Sequence, residues 1–377
     1  LWVDASAPVL FATRTYVIQP EAKGLTTPGA FGGSLNGRRE RLTIGRDDGR
    51  AFITGLREDA GASSDLHLQN IDRKGPISVA VTVHDDSGVV VGQSEVEVKS
   101  HGMYLASLRW TLGVDDLASG YATVEVVRGA GRLSAAGTVV DLVTGDPTFI
   151  EAVHPGQVAG IVDEQQHTLV AAVAQTVGNF SSEWRSRLLV LNPGPASQEV
   201  VIRYVPEVDH SGGFSDILET TVEVGAGEQE VWPDVLRTLF GLQSSVRTQG
   251  ALHLFSPAGL LVGSWTANEQ ADGGSYGLFL PGLKSGDLVP GGGEGVMVGL
   301  AHSDDNRTNL GFAAYSAGDT ELDVHLWSTD GVRQELGSIE GLISVPPGNH
   351  TQVPRVFEFI GGGDDSIEAL EAAVAVT

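Results

Sequence analysis

The chain of 377 residues contains no cysteine. Disulfides, thiolate catalysis and cysteine-ligated zinc are therefore excluded, and side-chain packing and strand pairing must hold the fold together. The sequence also lacks any apolar run near the roughly 20 residues that a membrane-spanning helix requires. We therefore expect no insertion into a membrane.

Basic residues are scarce. Lysine and arginine number 23 against 48 aspartates and glutamates, which gives a formal net charge of −25. A surface of that sign repels the phosphates of nucleic acids and anionic membranes. We therefore expect no nucleic acid among the partners of this protein.

Glycine is abundant, with 50 residues, and short valine-rich runs are frequent, whereas long helical patterns are few. Glycine supplies the positive φ angles that hairpin turns need, and alternating apolar residues are typical of strands with one buried face. A hydrophobic content of 41% is enough to fill ordinary cores. The composition predicts a folded, all-β protein.

Three stretches of the chain resemble one another and predict a repeated unit. They are ASSDLHLQN (62–70), WRSRLLVLN (184–192) and NRTNLGFAAYS (306–316). Each is followed by a hairpin pattern and then by a short segment with helical spacing that a glycine closes, at 103–113, 234–241 and 353–363. The pattern predicts β-sandwich modules with one short helix per module.

The repeats divide the chain into predicted units. Residues 44–155 and 166–283 form two complete β-sandwiches, and residues 296–377 form a third that lacks its last strand. Residues 1–43 are the terminal hairpin and tail of an incomplete unit. The segments between the units are rich in glycine and proline, as linkers are.

The segments WRSRLLVLNPG, GLFLPGL (277–283), NRTNLGF and VVDLVTGDPTFI (139–150) together resemble tandem immunoglobulin-like repeats of large secreted or cell-surface proteins of bacteria. In those arrays two types of unit alternate, one ending like GLFLPGL and the other like TGDPTFI. The resemblance covers nearly the whole chain and implies immunoglobulin-like sandwiches at an extracellular or cell-surface location. It implies no activity and no functional residues.

Catalytic motifs are not found in the sequence. No histidine pair has the spacing of a zinc protease, and no serine lies in a nucleophile-elbow motif. We therefore expect no enzyme. The tryptophans could form a sugar-stacking platform, but their neighbours Val and Leu favour burial in a core.

Cofactors are not expected, with one exception. Pairs of acidic residues on loops bind Ca²⁺ in some secreted β-proteins, and the alternative is that they are solvated turn residues. Asp304 and Asp305 with Asn306 are the first choice for such a site.

The two ends of the chain carry the functional hypothesis. A hairpin within Leu1–Val17 buries too little apolar surface to stand alone in water and must dock. EAAVAVT, at the other end, reads as one strand of a hairpin, with its backbone at 372–377 unpaired. The predicted interface consists of Leu1, Trp2, Val3, Val9, Leu10, Phe11, Tyr16, Val17, Ala373, Val374, Ala375 and Val376.

Three arrangements would give the N-terminal hairpin and the C-terminal strand their pairing partners. The hairpin of one molecule completes the last unit of the next in a head-to-tail homopolymer, or the same closure occurs within one chain, or the chain is a segment of a longer repeat protein. The first makes the protein a structural subunit of an extracellular filament or surface array. The alternative function is an adhesin or carbohydrate-binding stalk module of a larger secreted protein.

Overall fold

A computed structural model describes residues 12–19, 29–36, 43–154, 166–177, 182–207, 215–269, 274–300, 308–315, 318–328, 335–361 and 372–376. The described chain is all-β, with several antiparallel sheets and three short helices, as the composition predicted. Strands β1 (Ala12–Gln19) and β2 (Gly29–Asn36) form a two-stranded sheet at its start.

The first unit, residues 43–154, is built from two four-stranded sheets. Its elements are β3 (Arg50–Glu58), β4 (Ala62–Asn70), β5 (Ile77–Asp85), β6 (Val90–Val98), β7 (Met103–Ser107), α1 (Leu108–Leu112), β8 (Leu117–Arg128), β9 (Leu133–Asp141) and β10 (Pro147–Glu151). The sheet orders are β10-β9-β4-β7 and β3-β8-β5-β6. Buried residues of both sheets form one core cluster, which is consistent with a β-sandwich.

Alternation along the strands explains this core. In β5, Ile77, Val79, Val81 and Val83 are at most 1% exposed, while the residues between them are partly exposed. Successive side chains of a strand point to opposite faces, so one face of β5 enters the core. Each such side chain contributes about 1.5–3 kcal/mol by leaving water.

The second unit, residues 166–283, repeats this order of strands. Its elements are β11 (Gln166–Val177), β12 (Glu183–Leu191), β13 (Gln198–Pro206), β14 (Leu218–Val224), β15 (Gln229–Trp232), α2 (Val235–Thr238), β16 (Thr248–Ser256), β17 (Leu261–Glu269) and β18 (Ser275–Pro281). The strands pair as β18-β17-β12-β15 and as β11-β16-β13-β14, and β11 also pairs with β12 over a short stretch, which joins the two halves into one sheet.

The third unit, residues 295–376, has fewer described strands. Its elements are β19 (Gly295–Leu300), β20 (Leu310–Ala313), β21 (Thr320–Ser328), β22 (Glu335–Val345), β23 (His350–Val353), α3 (Val356–Gly361) and β24 (Ala372–Val376). The order β19-β24-β21-β22 matches β3-β8-β5-β6 of the first unit. Among the described residues the second sheet contains β20 and β23, where the corresponding sheet of the first unit has four strands.

The short helices are shorter than the sequence predicted. The helical spacing covered residues 103–113, but Met103–Ser107 forms β7 and pairs with β4. The helix begins only after Ser107, whose hydroxyl accepts a hydrogen bond from the Trp110 amide at 3.3 Å. It ends at Gly113, which has a φ of 69°. An N-cap of this kind satisfies the first amides of a helix and fixes its start.

The structure contradicts the prediction for the C-terminal strand, and it describes only part of the predicted N-terminal interface. The backbone of Ala372–Val376 is not unpaired, because β24 pairs with β19 on one side and with β21 on the other. Of the predicted N-terminal interface residues, Leu1, Trp2, Val3, Val9, Leu10 and Phe11 lie outside the described residues. Tyr16 and Val17 lie on β1, opposite Gly32 and Phe31 of β2.

Candidate functional site: the joints between units and an open sheet edge

The first joint, between the first and second units, is organised around Gln229, which is 2% exposed. Its side-chain amide donates hydrogen bonds to the Ser119 hydroxyl at 3.2 Å and to the Gly120 carbonyl at 3.1 Å. Its side-chain carbonyl accepts one from the Gly55 amide at 3.2 Å. The backbone amide of Gln229 donates to the Asp86 carbonyl at 2.8 Å. One residue of the second unit thus bonds to three segments of the first.

Tyr121 reinforces the first joint from the other side. Its hydroxyl donates to the carbonyl of Gly227 at 2.8 Å, and its ring stacks on His84 with the centroids 4.7 Å apart. Tyr121 also belongs to a small apolar cluster with Leu191 and Leu261 of the second unit. Burial raises the pKa of Tyr121 and the Asp85 charge adds to this, so the phenol remains a hydrogen-bond donor at neutral pH.

The end of β9 and the TGDP turn that follows it form hydrogen bonds with the start of β18. Asp141 accepts hydrogen bonds from the amide of Ser275 at 3.0 Å and from its hydroxyl at 2.9 Å, and Thr144 donates to the Ser275 carbonyl at 2.9 Å. Asp146 accepts from the Gly277 amide at 3.1 Å. Burial, with a smaller effect of Asp141, raises the pKa of Asp146. Two of the sequence motifs, TGDPTFI and GLFLPGL, therefore meet at this joint.

The second joint, between the second and third units, contains a pair of histidines. The Nε2 atom of His253 lies 2.6 Å from the carbonyl of Gly348, and a carbonyl can only accept. His253 in its neutral form therefore carries its proton on Nε2 and accepts at Nδ1 from Nε2–H of His167, at 2.8 Å. The ring of Tyr315 stacks on His167 with the centroids 4.0 Å apart, and its hydroxyl donates to the His167 carbonyl at 3.2 Å.

The surroundings of this pair disfavour a positive charge. Burial, together with the neighbouring His253, Lys284 and Arg203, lowers the pKa of His167 to about 4. Burial also lowers the pKa of His253. The hydrogen bond to Gly348 raises this pKa and the charge of Arg203 lowers it, and the net shift is downward. Both histidines are therefore neutral at pH 7.

Glu207 forms the second contact of the second joint. Glu207 is 7% exposed, and its carboxylate accepts a hydrogen bond from the Gln352 amide of β23 at 2.9 Å. It also accepts from the side chain of Gln249 and lies 3.6 Å from Nδ1 of the buried His350. Burial alone would raise the pKa of Glu207, but the approach of His350, Gln249 and Gln352 outweighs it and lowers the pKa. Glu207 is therefore ionised at neutral pH.

An open sheet edge lies on β20 of the third unit. In the first unit β4 has β9 on one side and β7 on the other, and in the second unit β12 has β17 and β15. Within the described ranges β20 pairs with β23 alone. The Gln352 amide donates to Glu207 and therefore points away from β20, so Gly311 and Gln352 are a pair without mutual hydrogen bonds. Hydrogen-bonded and non-hydrogen-bonded pairs alternate in an antiparallel ladder, so Ala313 and His350, two residues further on, are also a pair of the second kind. The amides of Gly311 and Ala313 therefore point to the open edge.

Metal-binding clusters are absent from the described part of the chain, where no group of three or more candidate ligands is found. Asp48 instead pairs with Arg132 at 2.9 Å, and Asp85 accepts from the Ser87 hydroxyl and the Val89 amide within its turn. The preferred calcium candidates, Asp304, Asp305 and Asn306, lie outside the described residues. No described helix has the length and apolarity to cross a bilayer.

The tryptophans do not all lie in a core. Trp110 on α1 is 86% exposed, so the expectation of burial is wrong for this residue. It follows Met103 and Leu105 on β7, which are 67% and 50% exposed. β7 is the end strand of its sheet. Trp184, Trp232 and Trp265 are half-buried.

Sequence reasoning did not find the joint residues Gln229, His167, Glu207 and His350. No motif surrounds them, because each bonds to residues that are distant in the sequence. No model of a known protein family matches the chain, and no curated protein matches its sequence significantly.

Proposed function

We propose that the protein is a non-catalytic structural subunit built of repeated β-sandwich units, which assembles head to tail through strand complementation at the β20 edge. The observation that carries the proposal is the pairing order of the strands. The two-stranded sheet of β20 and β23 corresponds to the four-stranded sheets of the other units without their hairpin, β9–β10 or β17–β18. The sheet of β1 and β2 corresponds to such a hairpin.

The position of β2 supports this assignment. β2 runs beside β10 of the first unit, as β10 runs beside β18 of the second. The hairpin β1–β2 thus sits against the first unit as the terminal hairpin of one unit sits against the next. A molecule that places β1 along β20 of its neighbour would continue the same packing from unit to unit, and the open backbone groups of β20 would gain partners.

The acceptor strand in this assembly is β20 and not β24. The sequence suggested Ala373, Val374, Ala375 and Val376 as the acceptor, whereas the open backbone groups lie on β20. Because donor and acceptor are different surfaces, the contact is heterologous and propagates as a filament unless its rotation closes a ring. We further propose an immunoglobulin-like class for the units and an extracellular or cell-surface location, on the strength of the sequence resemblance.

The test is the assembly state of the 377-residue chain and of an Ala313→Pro variant. Proline removes the amide that faces the open edge and leaves the β20–β23 ladder unchanged, since that amide does not take part in it. We expect polymers of the wild-type chain in sedimentation and electron microscopy, and monomers of the variant. Ala313→Ser, which keeps the amide, should polymerise like the wild type. Equal polymers of Ala313→Pro, or a monomeric wild-type chain at high concentration, would refute the assembly.

A second candidate function, a carbohydrate-binding stalk, is favoured by one observation. Trp110, Met103 and Leu105 are exposed on consecutive elements of the first unit. An exposed indole offers a flat apolar face to a sugar ring. Titration of the monomeric chain with oligosaccharides would show binding that Trp110→Ala removes; no binding to any glycan would leave the filament as the sole proposal.

A further inference from the structure

Arg187 lies in the middle of β12, at the first joint, directly opposite Trp265 of β17. Its guanidinium carbon lies 5.4 Å from the centroid of the indole ring. Within the described chain this guanidinium makes neither a hydrogen bond nor an ion pair with a carboxylate. Burial lowers the pKa of Arg187 to about 10 and the nearby Arg57 contributes, so the side chain still carries its charge at neutral pH.

A cavity of about 10 Å³ adjoins this guanidinium between the two units. The first unit lines it with Gly55, Ser119, Val139, Thr148 and Ile150, and the second with Arg187, Leu189, Trp265 and Phe279. A volume of this size, which is the space open to the centre of the occupant, admits one small particle such as a water molecule or a monatomic ion. Phosphate and organic carboxylates are therefore too large for it.

The polar groups around the cavity are hydrogen-bond donors in need of an acceptor. The indole Nε1–H of Trp265 is buried and has no hydrogen-bond partner in the described structure. Thr148, which is 6% exposed, lines the same cavity. The oxygen of Ser119 already accepts from Gln229, which leaves its proton to donate. A buried donor without a partner is destabilising, because it has given up its hydrogen bond to water.

Charges near the cavity do not neutralise Arg187 by direct contact. Asp59 forms its own ion pair with Arg57 at 2.9 Å, and Glu269 lies exposed at the end of β17. Both favour the charged guanidinium from a distance, and Arg57 opposes it. No carboxylate lines the cavity itself. A neutral water molecule placed here would accept hydrogen bonds from the donors but would leave the charge of Arg187 unbalanced.

We propose that this cavity binds one small monovalent anion, such as chloride, held by Arg187, the indole N–H of Trp265 and the hydroxyl of Thr148. The anion supplies an acceptor to each donor and a negative charge to the unpaired guanidinium. Because both units line the cavity, the bound anion stabilises their joint. The first joint therefore becomes stiffer as the chloride concentration rises.

Crystals grown in sodium bromide test the site directly in the wild-type chain. Bromide replaces chloride and scatters anomalously, so we expect an anomalous peak between Arg187 and Trp265. A water molecule or no density at this position, with bromide present in the crystal, would overturn the proposal.

Thermal unfolding tests the site in solution. The melting temperature of the wild-type chain should be about 2–4 °C higher in sodium chloride than in sodium gluconate of equal ionic strength, because gluconate is too large for the cavity. Arg187→Met should lose this difference. Arg203→Met is the matched control, since Arg203 also lies over an aromatic ring, that of Phe255, but pairs with Glu219.

The control should keep the full chloride effect. Equal melting temperatures of the wild-type chain in the two salts, or an undiminished chloride effect in Arg187→Met, would overturn the proposal. If Arg187→Met does not fold, Arg187→Lys and the bromide crystals of the wild-type chain decide the question.

Discussion

The two joints of the molecule hold their units together with different chemistry. The first joint uses the amide of Gln229, the phenol of Tyr121 and the permanent cation of Arg187. The second uses two imidazoles, His167 and His253, beside a buried carboxylate. Amides, phenols and guanidinium groups keep their protonation between pH 4 and 8, whereas histidines change theirs in this range. Gln229, Tyr121 and Arg187 are therefore indifferent to pH in this range, whereas the histidine pair of the second joint responds to it.

The joints also differ in how they would fail. At the first joint the hydrogen bonds of Gln229 and Tyr121 spread over several segments, so the loss of one group leaves others in place. At the second joint, Gln249 of β16 and Gln352 of β23 both donate hydrogen bonds to the single charged carboxylate of Glu207. Removal of one partner from a buried charged cluster leaves the rest uncompensated, which costs more than the loss of a neutral hydrogen bond.

Glu207→Ala should therefore have the largest effect. The variant removes the acceptor of the Gln352 amide and of the Gln249 side chain and leaves His350 without its acidic neighbour. We expect a loss of about 3–5 kcal/mol in the free energy of unfolding, measured by urea denaturation. Glu219→Ala, which removes an exposed carboxylate paired with Arg203, should cost at most about 1 kcal/mol. Equal losses in both variants would contradict the role of Glu207.

Gln229→Ala should have the next largest effect, at the first joint. The variant leaves the Gly55 amide and the Gly120 carbonyl without their partner in a buried position. We expect a loss of about 2–3 kcal/mol, and faster amide exchange at Gly55 in hydrogen-exchange measurements. Gln93→Ala on the exposed face of β6 is the control and should change stability by less than about 0.5 kcal/mol. Unchanged protection of Gly55 would show that Gln229 does not hold the joint.

The fold could be predicted from the sequence where the signal is local. Alternation in Ile77–Asp85 predicts a strand with one buried face, and the structure places that strand inside the first unit. The helical segment at 103–113 was predicted too long, because spacing alone does not register that Met103–Ser107 pairs with β4. Strand pairing is a tertiary interaction, and it overrides a weak helical pattern.

The joints could not be predicted, for a physical reason. Gln229 and Gly55 are 174 positions apart, and Glu207 and Gln352 are 145 apart. A residue that bonds across units carries no periodic signal in its own strand. The motifs TGDPTFI and GLFLPGL were visible, but only the structure brings Asp146 to Gly277. The prediction that residues 372–377 are unpaired was wrong because the repeat pattern does not reveal that β24 lies between β19 and β21.

Acidification should affect the second joint selectively, with the smallest effect of the three predictions. The pKa of His167 is lowered to about 4 in the folded chain from 6.5. Between pH 6.5 and about 4 the unfolded chain therefore binds a proton that the folded chain does not, so stability falls as the pH falls through this window. Glu207 contributes only near and below its unfolded pKa of 4.5, where the unfolded chain begins to bind a proton that the folded chain, with its lowered Glu207 pKa, does not.

Melting temperatures recorded from pH 7 to pH 4.5 check this expectation. His167→Gln, which keeps a hydrogen-bond donor toward His253 but cannot be charged, should melt with a shallower dependence on pH than the wild type. His101→Asn removes an exposed histidine from a position with a φ of 51°, which asparagine tolerates, and should retain the wild-type slope. Amide exchange should rise first around Tyr315 and Gly348, because protonation of His167 places a buried positive charge beside these residues and close to Lys284 and Arg203. If the slope of His167→Gln equals that of the wild type, the histidine pair is not the pH-sensitive element of this joint.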